Sequence, residues 1–252
     1  MSVIRTLDQD VCILGMSFPR GNAINLSLIA AVNDALDEVE KSEARAVVIT
    51  GKGRVFSAGL DLVESYEYDR ATMVRFVDGF DDLFVRLFAL PRPVVAAVNG
   101  HALAGGCIIA MAADHRVMAT GNGWIGINEV ELAIPFPSGA LEVARQALRP
   151  ECWADCFLAA RRFTPEEALG VGLVNHVTAE GAVLHEAVER ARRFAAQPHD
   201  AVATVKSQLR APTVERIRAT QAASRALFVE RWFAPAAREK IGALRTALLS
   251  KH

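Results

Sequence analysis

Two glycine turns hold the residues of this chain best suited to chemistry. One is VFSAGLDL (Val55 to Leu62), after the apolar run AVVITG, and the other is ALAGGCII (Ala102 to Ile109), after PVVAAVNG. Glycine lets backbone approach a ligand closely, and amides at such a turn, or at the start of the next helix, can point outward unpaired. Two outward amides from separate turns make an oxyanion hole, which stabilises negative charge developing on a carbonyl oxygen. The same spacing also suits ordinary strand-to-helix turns whose glycines only relieve backbone strain, so spacing alone leaves both readings open.

Other chemistries fit less well. GKGRVFSAG fails the G-x-G-x-x-G dinucleotide spacing, because Gly51 and Gly53 are followed by Phe56, and no Gly-Lys-Ser/Thr loop occurs. FPSGA, around Ser138, lacks the first glycine of a serine-hydrolase elbow. Cys152 and Cys156 in CWADC are four apart on an expected helix, but no second Cys or His pair at zinc spacing joins them. Together with Cys12 and Cys107 they read as structural, mostly buried thiols, and no metal site is expected.

The elements that must position the turns follow from periodicity. VCILGMSF, ARAVVITG, PVVAAVNG and HRVMAT read as strands, and SLIAAVNDALDEVEK has apolar residues at helical spacing. FTPEEALGVGL carries a capping box, with Thr164 as N-cap, Pro165 at the first helical position and Glu167 reaching back, ended by Gly170 or Gly172. From about Gly181 onward the chain is charged and helical in period, with breaks expected at Pro198, Pro212 and Pro235. The result is an alternating α/β body and a helical tail, divided as residues 1–195 and 196–252. The 252 residues are 52% hydrophobic and 23% charged with a net charge of -1, which supports a large core and gives no general attraction to nucleic acid or an anionic membrane. No leader pattern and no apolar run of about 18 residues is seen, so a soluble, cytoplasmic protein is expected.

RVFSAGLDL, PVVAAVNGHALAGGC, AADHRV, GINEVELAIPFPSGA and RRFTPEEALGVGLVNHV occur in an order and spacing that resembles the crotonase superfamily of enoyl-CoA hydratases and isomerases, beginning at PRGNAIN. Within it the motifs are most similar to those of the mitochondrial-type Δ3,Δ2-enoyl-CoA isomerases. The resemblance implies a crotonase-like α/β fold, a repeated ββα spiral, with C-terminal helices that cover the acyl site and pack a homotrimer or a dimer of trimers. A helix that merely caps its own domain fits the tail nearly as well. The resemblance also implies an acyl-CoA thioester substrate, no separate cofactor, and an oxyanion hole from the backbone N–H groups of Leu60 and Gly105. Ala23, Ser57, Ala58, Gly59, Asp61 and Gly106 fall where the family contacts or accommodates CoA. Asp61 equally suits a helix N-cap, and Lys52 and Arg54 suit either CoA phosphates or solvent.

Hydratases of this family use two glutamates, and here their positions hold Ile108 and Glu129. Isoleucine can neither move a proton nor orient water, so the resemblance implies the single-glutamate route. In that route Glu129 shifts a 3-enoyl-CoA double bond to position 2. A hydratase, and a low-turnover acyl-CoA-binding homologue, are the alternatives. Glu131 reads as solvated or capping, His101 and His115 as structural, and Trp124 and Phe136 as acyl-pocket lining or core.

Overall fold

The computed structural model describes residues 2–121 and 123–250. Among the described residues, nine strands form two sheets: β1 (Ser2–Asp8), β2 (Val11–Ser17), β3 (Ala46–Gly51), β4 (Val55–Ser57), β5 (Val94–Val98), β6 (His101–Leu103), β7 (His115–Ala119), β8 (Ile125–Gly126) and β9 (His176–Thr178). The larger sheet has the order β1-β2-β3-β5-β7-β9 and the smaller β4-β6-β8. Each pass of the chain therefore gives one strand to each sheet: β3 then β4, β5 then β6, β7 then β8. This is the expected spiral, and it stacks the two glycine turns because β4 and β6 are parallel neighbours.

From β2 onward the large sheet is parallel, with Cys12 opposite Val47, Val48 opposite Val95 and Val117 opposite His176. Its strands are near-continuous apolar runs because both faces are covered. On one face Val11, Val48, Val95 and Val117 pack against Ala187, Val188 and Ala191 of α7 (Val183–Ala195). The other face meets the main core, which includes α1 (Leu26–Glu40), α3 (Arg70–Ala89), α4 (Gly105–Ala112) and α5 (Ser138–Ala147). A one-turn helix, α2 (Leu62–Ser65), follows the first glycine turn. In α6 (Pro165–Val171) both capping-box bonds are present, Glu167 N–H to Thr164 Oγ1 at 3.3 Å and Thr164 N–H to Glu167 Oε2 at 3.0 Å, and Gly172 closes the helix at φ 78°.

The tail forms α8 (His199–Trp232) and α9 (Pro235–Leu249). Pro198 and Pro235 stand at helix starts, but Pro212 does not break α8. Pro212 and Gln208, whose carbonyl loses its helical partner, are both exposed, so that carbonyl is not sealed from solvent. On the other side Thr213, Val214 and Ile217 are buried, and Lys206, 6% exposed, donates to the Arg92 carbonyl at 2.9 Å and pairs with Asp114. Tertiary packing overrides the proline there. The four cysteines are free thiols, and Cys152 is only half-buried. No helix among the described residues is long and apolar enough to cross a membrane.

Candidate active site

The first turn is held from outside. Ile24 N–H donates to the Gly59 carbonyl at 2.7 Å, and Asp61 N–H donates to the Ile24 carbonyl at 2.9 Å. In this parallel bridge the groups flanking Leu60 face Ile24, which turns the N–H of Leu60 to the opposite side, and among the described residues it has no hydrogen-bond partner. Gly59 adopts φ 84°, and a Cβ there would stand 2.7 Å from the Leu103 carbonyl oxygen and 3.3 Å from the amide nitrogen of Gly105. The two turns are therefore packed directly against each other.

Gly105 opens α4, so its N–H has no acceptor within the helix. The preceding residue, Ala104, sits at φ 48°, ψ -126°, a conformation that only glycine takes readily, and its N–H is tied to the Gly126 carbonyl at 2.8 Å. This strained residue aims the start of α4. The helix lies close against β4: a Cβ on Gly106 would stand 2.3 Å from the Ser57 carbonyl oxygen.

Glu129 begins a 3-10 turn, Glu129–Leu132, just after β8. It is 4% exposed, and its Oε2 has no hydrogen-bond partner. Burial raises its pKa from 4.5 to about 7, against smaller opposing hydrogen bonds from its own backbone and that of Asn128. A carboxylate near neutrality with one free oxygen has the properties of a general base. Ile108 is fully buried in the apolar core. Its neighbour Cys107 senses Glu129: burial first, then the negative charge of Glu129, pushes that thiol well above its ordinary range. Helix α9 packs over both α2 and the Glu129–Leu132 turn, so the chain's own C-terminal helix covers this region.

Ala23, Ser57, Gly59 and Gly106 lie buried around the first turn, whereas Ala58, Lys52 and Arg54 are exposed. Asp61, 2% exposed, caps α2 by accepting from Glu64 N–H at 3.1 Å, and its carboxylate also receives the guanidinium of Arg20. Glu131 is exposed and pairs with Arg162. The Nδ1 of His101 accepts from Trp124 N–H at 3.1 Å, and the half-buried His115 falls to a pKa of about 4, chiefly through burial. Phe136 packs edge-on against Phe157. Trp124 is 42% exposed, which corrects its reading as core: it stands just before β8 and lines an open cavity with His101, Leu103 and Arg162. Sequence reasoning misses Arg20 and Cys107. Arg20 acts 41 residues away in sequence, and Cys107 reads as an inert thiol until the fold brings it within range of the Glu129 charge.

Residues 6–242 match the family model described as enoyl-CoA hydratase/isomerase. The chain is 29% identical over 210 residues to human mitochondrial enoyl-CoA delta isomerase 1, covering 82% of this chain and 70% of that protein. It is 32% identical over 211 residues to a short-chain-enoyl-CoA hydratase of Clostridium acetobutylicum, covering 82% and 80%. Among solved structures, human mitochondrial delta3-delta2-enoyl-CoA isomerase superposes with a TM-score of 0.94 at 26% identity, over 100% of this chain and 99% of that one. The chain has the crotonase fold and belongs to the enoyl-CoA hydratase/isomerase family of acyl-CoA enzymes.

Proposed function

We propose that the protein is a Δ3,Δ2-enoyl-CoA isomerase with Glu129 as its single acid and base. The observation that carries this reading is the buried Glu129 carboxylate, with one unpartnered oxygen, whose charge reaches Cys107 on α4, a helix that carries no second carboxylate. The thioester oxygen of a 3-enoyl-CoA accepts hydrogen bonds from the N–H groups of Leu60 and Gly105. Those bonds acidify the C2 protons, because the dienolate left by deprotonation puts its charge on that oxygen. Glu129 takes a C2 proton and the C2–H electron pair enters the dienolate; as it moves on to form the C2–C3 double bond, the π pair of the old C3–C4 double bond takes the proton that Glu129 returns at C4. No group beyond chain and substrate is needed, and CoA enters only as part of the substrate. The backbone around Ala23, Ser57, Ala58, Gly59 and Gly106 contacts CoA in this reading, and the protein assembles as a homotrimer or a dimer of trimers.

Incubation with a 3-enoyl-CoA should yield the conjugated 2-enoyl-CoA, and Glu129→Gln should abolish that conversion while CoA-ester binding persists. The relationship to a bacterial hydratase favours hydration as the second reading. Supplying 2-enoyl-CoA separates the two: formation of 3-hydroxyacyl-CoA at a rate matching isomerisation favours the hydratase. Tight binding without either conversion leaves a low-turnover acyl-CoA-binding protein.

A further inference from the structure

Residues Arg20, Gly21 and Asn22 all have positive φ, at 51°, 68° and 55°. Three consecutive left-handed residues, two of them not glycine, are costly for L-amino acids and persist only where surrounding contacts over-determine them. Most of those contacts fall on one partner, the segment that carries the Leu60 amide. Ala58 N–H donates to the Gly21 carbonyl at 2.9 Å, and Ser57 Oγ donates to the Asn22 carbonyl at 2.9 Å. Asn22 Nδ2 donates to the carbonyls of Val55 and Phe56 at 3.1 and 3.0 Å, while its Oδ1 accepts from Phe18 N–H at 2.8 Å. Ile24 then brackets Leu60 on both sides.

Arg20 completes this arrangement. Its Nε lies 3.0 and 3.1 Å from the two carboxylate oxygens of Asp61, and its Nη2 also bonds Oδ2. Asp61 is the residue after Leu60, and its carboxylate is additionally the N-cap of α2. Glu64 closes the network from the far side, taking hydrogen bonds from Asn25 Nδ2 at 2.7 Å and from the Tyr68 hydroxyl at 2.6 Å. A guanidinium held by two carboxylate oxygens fixes orientation as well as distance. The left-handed geometry of residue 20 is what turns this side chain back onto Asp61.

We infer that Arg20 is a positioning residue, whose ion pair with Asp61 holds the Leu60 amide at the angle needed to stabilise charge on a thioester oxygen. The inference rests on the proposed oxyanion hole and deepens it. Arg20 touches no reacting atom. Its loss leaves Asp61 capped by Glu64 N–H and Asn25, so the turn survives but the carboxylate is free to swing, and the amide tilts with it.

The test uses the full-length protein and a saturated acyl-CoA, which binds but has no double bond to move. Infrared difference spectra of its thioester carbonyl report the strength of the hydrogen bonds it accepts. In the wild type the carbonyl band should move to lower frequency on binding; no movement would overturn the oxyanion hole itself and leave Arg20 nothing to position. Given that movement, Arg20→Gln should lose much of it and lower kcat by about tenfold to a hundredfold, within the range set by small misplacement and by loss of one donor. The Kd for the saturated ester should change less than about threefold, since most of the ligand is held elsewhere. Arg20→Lys, which keeps the charge and loses the fork, should recover part of both signals. A full wild-type band shift and kcat in the folded Arg20→Gln protein, with only a lowered Tm, would show a purely structural ion pair and overturn the inference.

Discussion

Replacing Glu129 by glutamine should abolish isomerisation and change the fold's resistance to denaturant more favourably at alkaline than at acidic pH. The size of the effect follows from burial, which lifts the Glu129 pKa from 4.5 to about 7. A carboxyl group whose folded pKa lies above its unfolded value costs stability wherever the unfolded chain would be ionised. That cost is full above about pH 7, shrinks as pH falls, and vanishes below about pH 4.5, where both states are protonated. At about 1.4 kcal/mol per tenfold change in proton affinity, it comes to about 3 kcal/mol at pH 8 and about 1 kcal/mol at pH 5. Glutamine does not titrate, so this cost disappears, while its altered contacts and unsatisfied amide hydrogens add a term independent of pH. Comparing the two pH values removes that term. Relative to the wild type, the variant should therefore gain about 2 kcal/mol more at pH 8 than at pH 5. Urea unfolding of both proteins at both pH values, at one protein concentration because self-association shifts midpoints, supplies the measurement. Asp81, also raised to about 7 by burial, is common to both proteins and cancels. A stability difference that stays the same at both pH values would refute the burial of an ionisable Glu129, and the base with it.

As the proposed base, the same group should set the pH profile of catalysis. kcat/KM for the 3-enoyl-CoA should rise about tenfold per pH unit up to pH 7 and then level, as a stopped-assay series from pH 5 to 9 would read; a profile flat through pH 6 would remove Glu129 as base. Gly106→Ala puts a methyl group 2.3 Å from the Ser57 carbonyl oxygen and should cut kcat/KM by about a hundredfold as α4 shifts off β4, visible in steady-state kinetics. Lys206→Met removes a buried partner of Asp114, but Arg210 Nη2 and Val94 N–H remain on that carboxylate at 2.9 and 2.8 Å. The cost should be about 2 kcal/mol, below the 3 to 5 of a charge left wholly unpaired, measured by urea unfolding. Pro212→Ala restores the Gln208 hydrogen bond on an exposed helix face and should raise stability by about 1 kcal/mol, seen as a Tm increase of about 2 to 4 °C.

What the sequence made legible was the framework that is repeated and buried. The runs at Val11, Ala46, Val94 and His115 are strands because two covered faces demand continuous apolar residues, and the Thr164 box is local enough to read directly. β1 escapes because it is an antiparallel edge strand with most side chains exposed, so burial leaves little pattern in Ser2–Asp8. α3 has Met73, Phe76, Phe80, Phe84 and Leu87 at helical spacing, yet Gly79 and the buried Asp81 interrupt the apolar stripe. Asp81 is there because its Oδ1 caps α5 across space, accepting from Gly139 N–H at 2.9 Å, a role no local pattern announces.

The candidate site divides in the same way. Glycines at 59, 105 and 106 mark where backbone must come close, and the family pattern points from Ile108 to Glu129. The proposed hole uses backbone amides, to which the side chain of Leu60 contributes nothing, so in that reading its quality is decided by whatever holds the two turns. Those supports lie off the motif. One is Ala104, an alanine in a glycine conformation, pinned by Gly126 across the small sheet. The other is a left-handed run at Arg20, more than 30 residues before the turn it grips. Strain at both supports has one physical reading. Each amide is held by contacts that outweigh the local preference of the backbone, so under the proposed mechanism the donors need little reorganisation when charge develops on the substrate oxygen. Ala104→Gly separates aim from strain: it relieves the backbone but enlarges the conformational freedom of the turn. It should leave Tm within a few degrees, because the two effects on stability oppose one another. If the contacts to Gly126 and β4 set the aim, kcat should stay within about threefold of the wild type; a loss approaching that of a missing oxyanion donor, about a hundredfold, would mean that alanine itself restrains the turn.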